Sequence, residues 1–288
     1  MQQYHDALAH ILAHGKERED RTGVGTRSVF GYQMRFDLRE TFPAVTTKRL
    51  AWRAVVGELL WFLEGSSDER RLAEITFEKP REELVGKQTI WTANADNQAK
   101  SLGYVNTDTV KDLGPIYGHQ WRSWDAQIGR VDQIAEVLEQ MHYDPHSRRH
   151  IVSSWNADRI AVMSLPPCHT LFQFYIQDDE LSCQLYQRSV DAPLGLPFNI
   201  ASYSLLTHMF AQILGLRVGE FIHTSGDLHI YNNQIDGIKL QLEREPFPGP
   251  TLEMPEFSTL DELIKTTPSQ YKLINYQHHA EIKMPFAV

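Results

Sequence analysis

The chain has 288 residues, 42% of them hydrophobic and 23% charged, with a formal net charge of −9. This is an ordinary globular composition with enough apolar residues for a sizeable core, and its acidic balance weighs against broad binding to nucleic acid or anionic membrane. Its two cysteines, Cys168 and Cys183, exclude a disulfide framework, no Cys/His spacing suggests zinc, and no run is long and apolar enough to span a bilayer.

Residues 1–6 show no secretory pattern, so a reducing, cytoplasmic setting is expected. Ala7, Leu8, Ile11 and Leu12 recur at helical spacing within residues 4–13, with Gly15 as a stop. Residues 29–38 alternate as a strand. Residues 50–63 are apolar nearly all round, a helix for the core ended at Gly65. Residues 64–112 form a polar, irregular, partly helical excursion, read as part of a single domain spanning 1–288. Then follow a helix at 131–141 and a short strand at 151–155. A hairpin of 170–176 and 181–189 turns at Asp178-Asp179, and a long apolar helix at 200–214 stops at Gly215. A strand at 220–229 precedes a proline-punctuated tail from 247. No repeat or low-complexity tract is present. Helices and strands mix without βαβ alternation, which predicts an α+β fold with a mixed or largely antiparallel sheet.

The chemistry gathers around Pro167-Cys168-His169. Pro166 and Pro167 bar a helix there, and Arg188, Ser189, Asp191 and Asn199 follow closely. A thiol in such company is a candidate nucleophile, and a nearby arginine would favour its thiolate. The plain alternative is a small buried hydrophobe. Glu58, set among Val55, Val56, Leu59, Leu60 and Trp61, is either a carboxylate whose proton affinity burial raises or half of a buried pair with Arg53 or Arg49. Arg21 in a glycine-punctuated loop, Arg148-Arg149 and Arg188-Ser189 suit a phosphate monoester; singly, each reads as a solvated charge. Asn199 is either a helix N-cap or a reader of an amide edge such as that of uracil. His229 and Tyr231 share one side of a strand and suit a sugar hydroxyl or a satisfied core. Trp91 is either a core tryptophan or a stacking surface.

These residues fall into longer runs, and on those runs the chain resembles thymidylate synthases almost end to end. Beyond Pro167-Cys168-His169, the runs are Asp20-Arg21-Thr22-Gly23, Phe42-Pro43 with Thr46-Thr47-Lys48, and Glu58-Leu59-Leu60-Trp61-Phe62-Leu63. Further matches are Leu113-Gly114-Pro115 with Tyr117-Gly118, Ser147-Arg148-Arg149, Gln184-Leu185-Tyr186-Gln187-Arg188-Ser189, and the stretch from Gly195 to Tyr203. The excursion with Asn97-Gln98-Ala99-Lys100 looks most like some bacteriophage members. The resemblance implies a large mixed sheet packed against helices and a homodimer formed through that sheet. It implies that Cys168 adds to C6 of dUMP, activating C5 toward the one-carbon unit of 5,10-methylenetetrahydrofolate, with no metal. Glu58, Tyr117 and His169 would handle protons, and Asn199 would read the uracil edge beside Gln187. Arg21, Arg188 and Ser189, with Arg148 and Arg149 across the interface, would hold the phosphate. His229 and Tyr231 would hold the sugar. Ile90, Trp91, Asp191, Leu194, Gly195, Phe198 and the Val288 carboxylate would hold the folate. The product expected is dTMP, with dihydrofolate released.

The departures from the family pattern cluster. Asp191-Ala192-Pro193-Leu194-Gly195 stands where members usually have Asp-Val-Phe-Leu-Gly. Ile90-Trp91-Thr92-Ala93 stands for Ile-Trp-Asp-Glu, and Ser225-Gly226-Asp227-Leu228-His229 stands for Gly-Gly-Asp-Thr/Ala-His. The first two adjoin the expected folate wall. They make a dUMP hydroxymethylase, releasing 5-hydroxymethyl-dUMP and tetrahydrofolate, the runner-up. Asn199 speaks for uracil in either case, since cytosine-using relatives generally carry a carboxylate there. An inactive nucleotide-binding homologue is the alternative from another class.

Overall fold

A computed structural model describes residues 1–20, 23–127 and 129–285. Eight strands matter to the site: β1 Lys16–Arg18, β2 Thr26–Asp37, β3 Trp124–Ala126, β4 Gly129–Val131, β5 Ile151–Ser153, β6 His169–Gln177, β7 Glu180–Asp191 and β8 Arg217–Tyr231. Six of them form one sheet in the order β1-β2-β8-β7-β6-β5, while β3 and β4 pair separately. Only β7 and β8 run parallel; the other neighbours in this sheet are antiparallel. The sheet is therefore mixed, and the α+β expectation holds.

The parallel step follows from the chain's route. β6 and β7 form the expected hairpin, turning at Asp178 and Asp179, both with left-handed backbone (φ 53° and 58°) that matches the twist of a tight hairpin. The chain then crosses through the helix Gly195–Leu214 before entering β8, and a crossover helix delivers a strand parallel to the one it left. That helix packs on β7 and β8 and is buried on almost every side, from Leu196 through Ala211. The second core helix, Trp52–Glu64, packs against it and against Glu69–Phe77 and Tyr117–Arg122. Fully burying Trp61, Phe62 or Leu59 contributes roughly 1.5–3 kcal/mol each. Both core helices end where a glycine takes the left-handed turn, Gly65 (φ 82°) and Gly215 (φ 66°).

A close backbone approach joins two site-bearing helices. A Cβ on Gly118 would sit 2.9 Å from the Phe62 carbonyl oxygen and 3.0 Å from its Cα. Any larger residue would pry Tyr117–Arg122 from Trp52–Glu64, and with it Tyr117 from Glu58.

Several boundaries differ from expectation. The helix expected at 200–214 begins five residues earlier, because the Asp191 carboxylate accepts from the Leu194 backbone N–H at 2.9 Å and starts the turn. The helix expected at 131–141 is Gln133–Tyr143, since Val131 belongs to β4 and Asp132 caps the helix through the Ala135 N–H. The strand expected at 151–155 stops at Ser153. The excursion holds the helix Glu69–Phe77 and a wider π-turn at Ala95–Ala99, and it sends Leu72, Trp91 and Ala95 into the main core. The far face of the sheet shows Leu171, Tyr175 and Tyr186 to solvent, with no helix among the described residues laid over them.

Candidate active site

A cavity of about 420 Å³ opens between the C-terminal end of β7, the two core helices and the turn carrying Trp91. Its lining brings together Glu58, Tyr117, Cys168, His169, Gln187, Ser189 and Asn199 with Ile90, Trp91, Asp191, Leu194, Gly195 and Phe198. A cavity this size with a few convergent polar groups suits a small-molecule ligand.

Cys168 sits just before β6, and its backbone N–H donates to the Tyr117 hydroxyl at 2.7 Å. Arg188 braces the same loop: its Nε donates to the Pro167 carbonyl (2.9 Å), one Nη donates to the Pro166 carbonyl (2.8 Å), and its backbone N–H donates to the Cys168 carbonyl (2.9 Å). The guanidinium also lies 5.5 Å from the ring centre of Trp155. The expectation that arginine favours the thiolate is met only in part. Burial pushes the Cys168 thiol up, and Arg188 and the Tyr117 contact pull against it without winning. Cys183 is free, fully buried on β7, and pushed up by that burial, so the thiol of Cys168 is not tied up in a bridge.

Glu58 makes no ion pair with Arg53 or Arg49. Arg53 donates to the Thr76 carbonyl and pairs with Glu78 instead. The Glu58 carboxyl accepts a 2.7 Å bond from Trp91 Nε1, and burial raises its pKa to about 7 against that donor. A group poised there can both take and give a proton near neutrality. Trp91 is thus core and wall together: it packs edgewise on Phe62 and Tyr117 and lines the cavity. It is held by a turn in which Thr89 and Thr92 both donate to Glu69 at 2.6 Å, and Glu69 is itself paired with buried Arg70.

Tyr117, fully buried, is held well above its ordinary range and keeps its proton. His169 is pushed by burial to about 4, so it is neutral at pH 7, packed 5.0 Å from the Tyr117 ring. Asn199 is not an N-cap. It lies one turn inside Gly195–Leu214, and its Oδ1 accepts from Gln187 Nε2 at 3.0 Å. Asp191 is raised by burial; besides Leu194 it is bonded by Gln234, which also donates to the Pro285 carbonyl and so ties the tail to this wall. The departure at Pro193 is buried, its carbonyl accepting from Lys48 and from the Tyr4 hydroxyl, while Leu194 faces the cavity.

Among the described residues, the other expected ones do not line this cavity. Arg188 lies beneath the Cys168 loop. His229 and Tyr231 meet edge to face at 5.2 Å on β8, and His229 bonds Asp227 at 3.0 Å. Arg148 and Arg149 are exposed; Arg149 borders a different hollow near β3 and β4. Arg21 and Val288 fall outside the described residues. Phe62, Asn94, Leu165 and Val190 also line the cavity, unforeseen. Helical spacing holds the signal for two of them: Phe62 is four residues after Glu58, and Asn94 three after Trp91. Among the described residues no cluster of His, Cys, Asp or Glu is built for a metal, and no helix is long and apolar enough to cross a membrane.

The sequence model of the family described as thymidylate synthase matches residues 2–288, essentially the whole chain. That family carries out folate-dependent one-carbon transfer to C5 of dUMP, which a thiol, a carboxyl titrating near 7 and an amide around one cavity are equipped to perform. The chain is a member of the thymidylate synthase family.

Proposed function

We propose that this protein methylates C5 of dUMP, yielding dTMP and dihydrofolate, as a single domain that works as a homodimer. The observation that carries this reading is Glu58, a carboxyl raised to about 7 and bonded to the tryptophan of the cavity wall, facing the same space as Cys168. Cys168 Sγ, once deprotonated, bonds to C6 of the ring, and the displaced electron pair makes C5 a nucleophile and O4 electron-rich. Asn199 meets the O4 and N3–H edge with one donor and one acceptor. Glu58 moves protons at the ring carbonyl and the leaving nitrogen; C5 loses its proton as the C–N bond to the folate breaks, and hydride addition to the resulting exocyclic methylene expels the Cys168 thiolate from C6. Tyr117 holds the Cys168 backbone and offers its hydroxyl proton, and neutral His169 packs behind it. Arg188 and Ser189 take the phosphate, with Arg148 and Arg149 reaching from a second copy docked on the uncovered sheet face. His229 and Tyr231 take the deoxyribose hydroxyl.

Methylenetetrahydrofolate supplies the one-carbon unit and, for methylation, the hydride. The apolar lining from Ile90, Trp91, Leu194 and Phe198 suits the flat pterin, and Asp191 suits its N–H edge. The second reading, hydration to 5-hydroxymethyl-dUMP, draws support from Asn94, whose amide adds a polar group to that wall where water could be held. An idle binding homologue is disfavoured by the pairing of Cys168 with a carboxyl titrating near 7.

Product analysis tests the proposal. With dUMP and methylenetetrahydrofolate, methylated nucleotide and dihydrofolate in equal amounts are expected. A nucleotide heavier by one further oxygen, with tetrahydrofolate released, overturns methylation in favour of hydration. No covalent attachment of 5-fluoro-dUMP to Cys168 overturns both.

A further inference from the structure

We propose that His223 and Ser225, neither of which lines the cavity, are positioning residues that fix which way Asn199 presents its amide and thereby set the preference for uracil over cytosine. The proposal rests on the dUMP reading above. The two residues alternate on β8, buried to 0% and 1% exposure, and the parallel register sets Gln187 of β7 opposite Ser225. A relay of side chains results. Ser225 Oγ lies 3.2 Å from His223 Nδ1, and His223 Nε2 lies 2.9 Å from Gln187 Oε1. Gln187 Nε2 donates to Asn199 Oδ1 at 3.0 Å and to the Ser189 carbonyl at 3.2 Å.

The direction of this relay follows from donors and acceptors alone. The Ser189 carbonyl can only accept, so the Gln187 nitrogen faces it and the Gln187 oxygen faces His223. His223 must then donate from Nε2. Its ring is neutral, because full burial holds it at about 3, so Nδ1 is a bare acceptor and the Ser225 hydroxyl donates to it. At the other end both N–H groups of Gln187 are committed. Asn199 Oδ1 therefore turns toward Gln187, and Asn199 Nδ2 is the donor left for the cavity. Uracil O4 accepts from that donor, and N3–H finds the second lone pair of Oδ1. Cytosine offers a 4-amino group and a bare N3, which oppose both.

Ser225 keeps the ring in the right tautomer. Without its hydroxyl, Nδ1 is a buried acceptor with no donor, which narrows the gap to the Nδ1–H tautomer; in that tautomer a bare Nε2 faces the Gln187 oxygen. Lone-pair repulsion then favours turning the Gln187 amide, and Asn199 turns with it. Residues that merely fill the core would not carry this directional information.

The test is the ratio of dUMP to dCMP affinity, by calorimetry, in wild type, Ser225→Ala, His223→Leu and His223→Gln. A Gln side chain keeps an N–H where Nε2 donates. Wild type is expected to prefer dUMP; Ser225→Ala and His223→Leu lose about tenfold or more of that preference, and His223→Gln recovers most of it. Nitrogen NMR of the His223 ring is expected to show the Nε2–H tautomer in wild type and a mixture in Ser225→Ala. A ratio within twofold of wild type in Ser225→Ala, or equal weakening toward both nucleotides, overturns the relay while leaving the dUMP reading standing. A wild type with no preference for dUMP overturns that reading and the relay together. If His223→Leu does not fold, Ser225→Ala, which removes one oxygen, decides alone.

Discussion

Replacing Glu58 with glutamine should stabilise the protein while abolishing its turnover, and the gain should grow with pH. Glu58 is raised from the ordinary 4.5 to about 7, with burial as the main cause. The folded state therefore holds this proton more tightly than the unfolded chain does. Stability then falls as pH rises from about 4.5 toward about 7 and is level above. Every tenfold gain in proton affinity on folding corresponds to about 1.4 kcal/mol, so the buried carboxylate costs on the order of 3 kcal/mol at pH 8. The glutamine side chain would carry no charge, and its oxygen can still accept from Trp91 Nε1. The assay is urea unfolding of wild type and Glu58→Gln at pH 4 and pH 8. Other groups titrate across that range, but they titrate alike in both proteins, so the difference isolates position 58. Near-equal stability at pH 4 and a variant more stable by about 3 kcal/mol at pH 8 is expected. A difference that does not change with pH would refute the claim that a raised Glu58 is what the active site costs the fold.

Trp91→Phe keeps the wall apolar but removes the donor to Glu58; losing a bond of about 1.5 kcal/mol should move the acidic limb of the pH–rate profile to higher pH by about one pH unit. An unmoved limb would detach Glu58 from that limb. Arg188→Gln leaves only the Tyr117 contact to oppose burial at Cys168, so the pH of half-maximal iodoacetamide alkylation should rise; no rise would show that Arg188 acts only as a brace. Tyr117→Phe orphans the Cys168 N–H, and attachment of 5-fluoro-dUMP should slow by roughly tenfold or more, which stopped-flow absorbance would follow. Asp179→Gly relieves one left-handed residue of the β6–β7 turn and should raise stability by about 0.5 kcal/mol if the turn is as described, read as a higher melting temperature.

Residue type and local spacing made much of this protein legible. A proline-flanked thiol, a carboxyl inside an apolar helix and glycines after two long helices are local facts, and each has a local consequence in the structure. Gly195–Leu214 starts earlier than its own spacing predicts because the start signal is not in the helix. Asp191, at the end of the preceding strand, supplies the carboxylate that begins the turn. Glu58 shows a different limit: its neighbours along the chain include arginines, but its partner comes from an irregular excursion 33 residues away. The Cys168 thiol shows a third. The nearby charge was readable, yet whether charge or burial dominates depends on how tightly the walls close, which spacing does not encode. The relay from Ser225 to Asn199 was hidden most deeply. It needs the parallel register of β7 and β8, set by a crossover helix of twenty residues, before the serine that departs from the family pattern can be seen behind the amide of Asn199. Departures at such second-layer positions carry information only once strand pairing is known. A substitution there acts through the orientation of a neighbour and leaves the catalytic set itself unaltered.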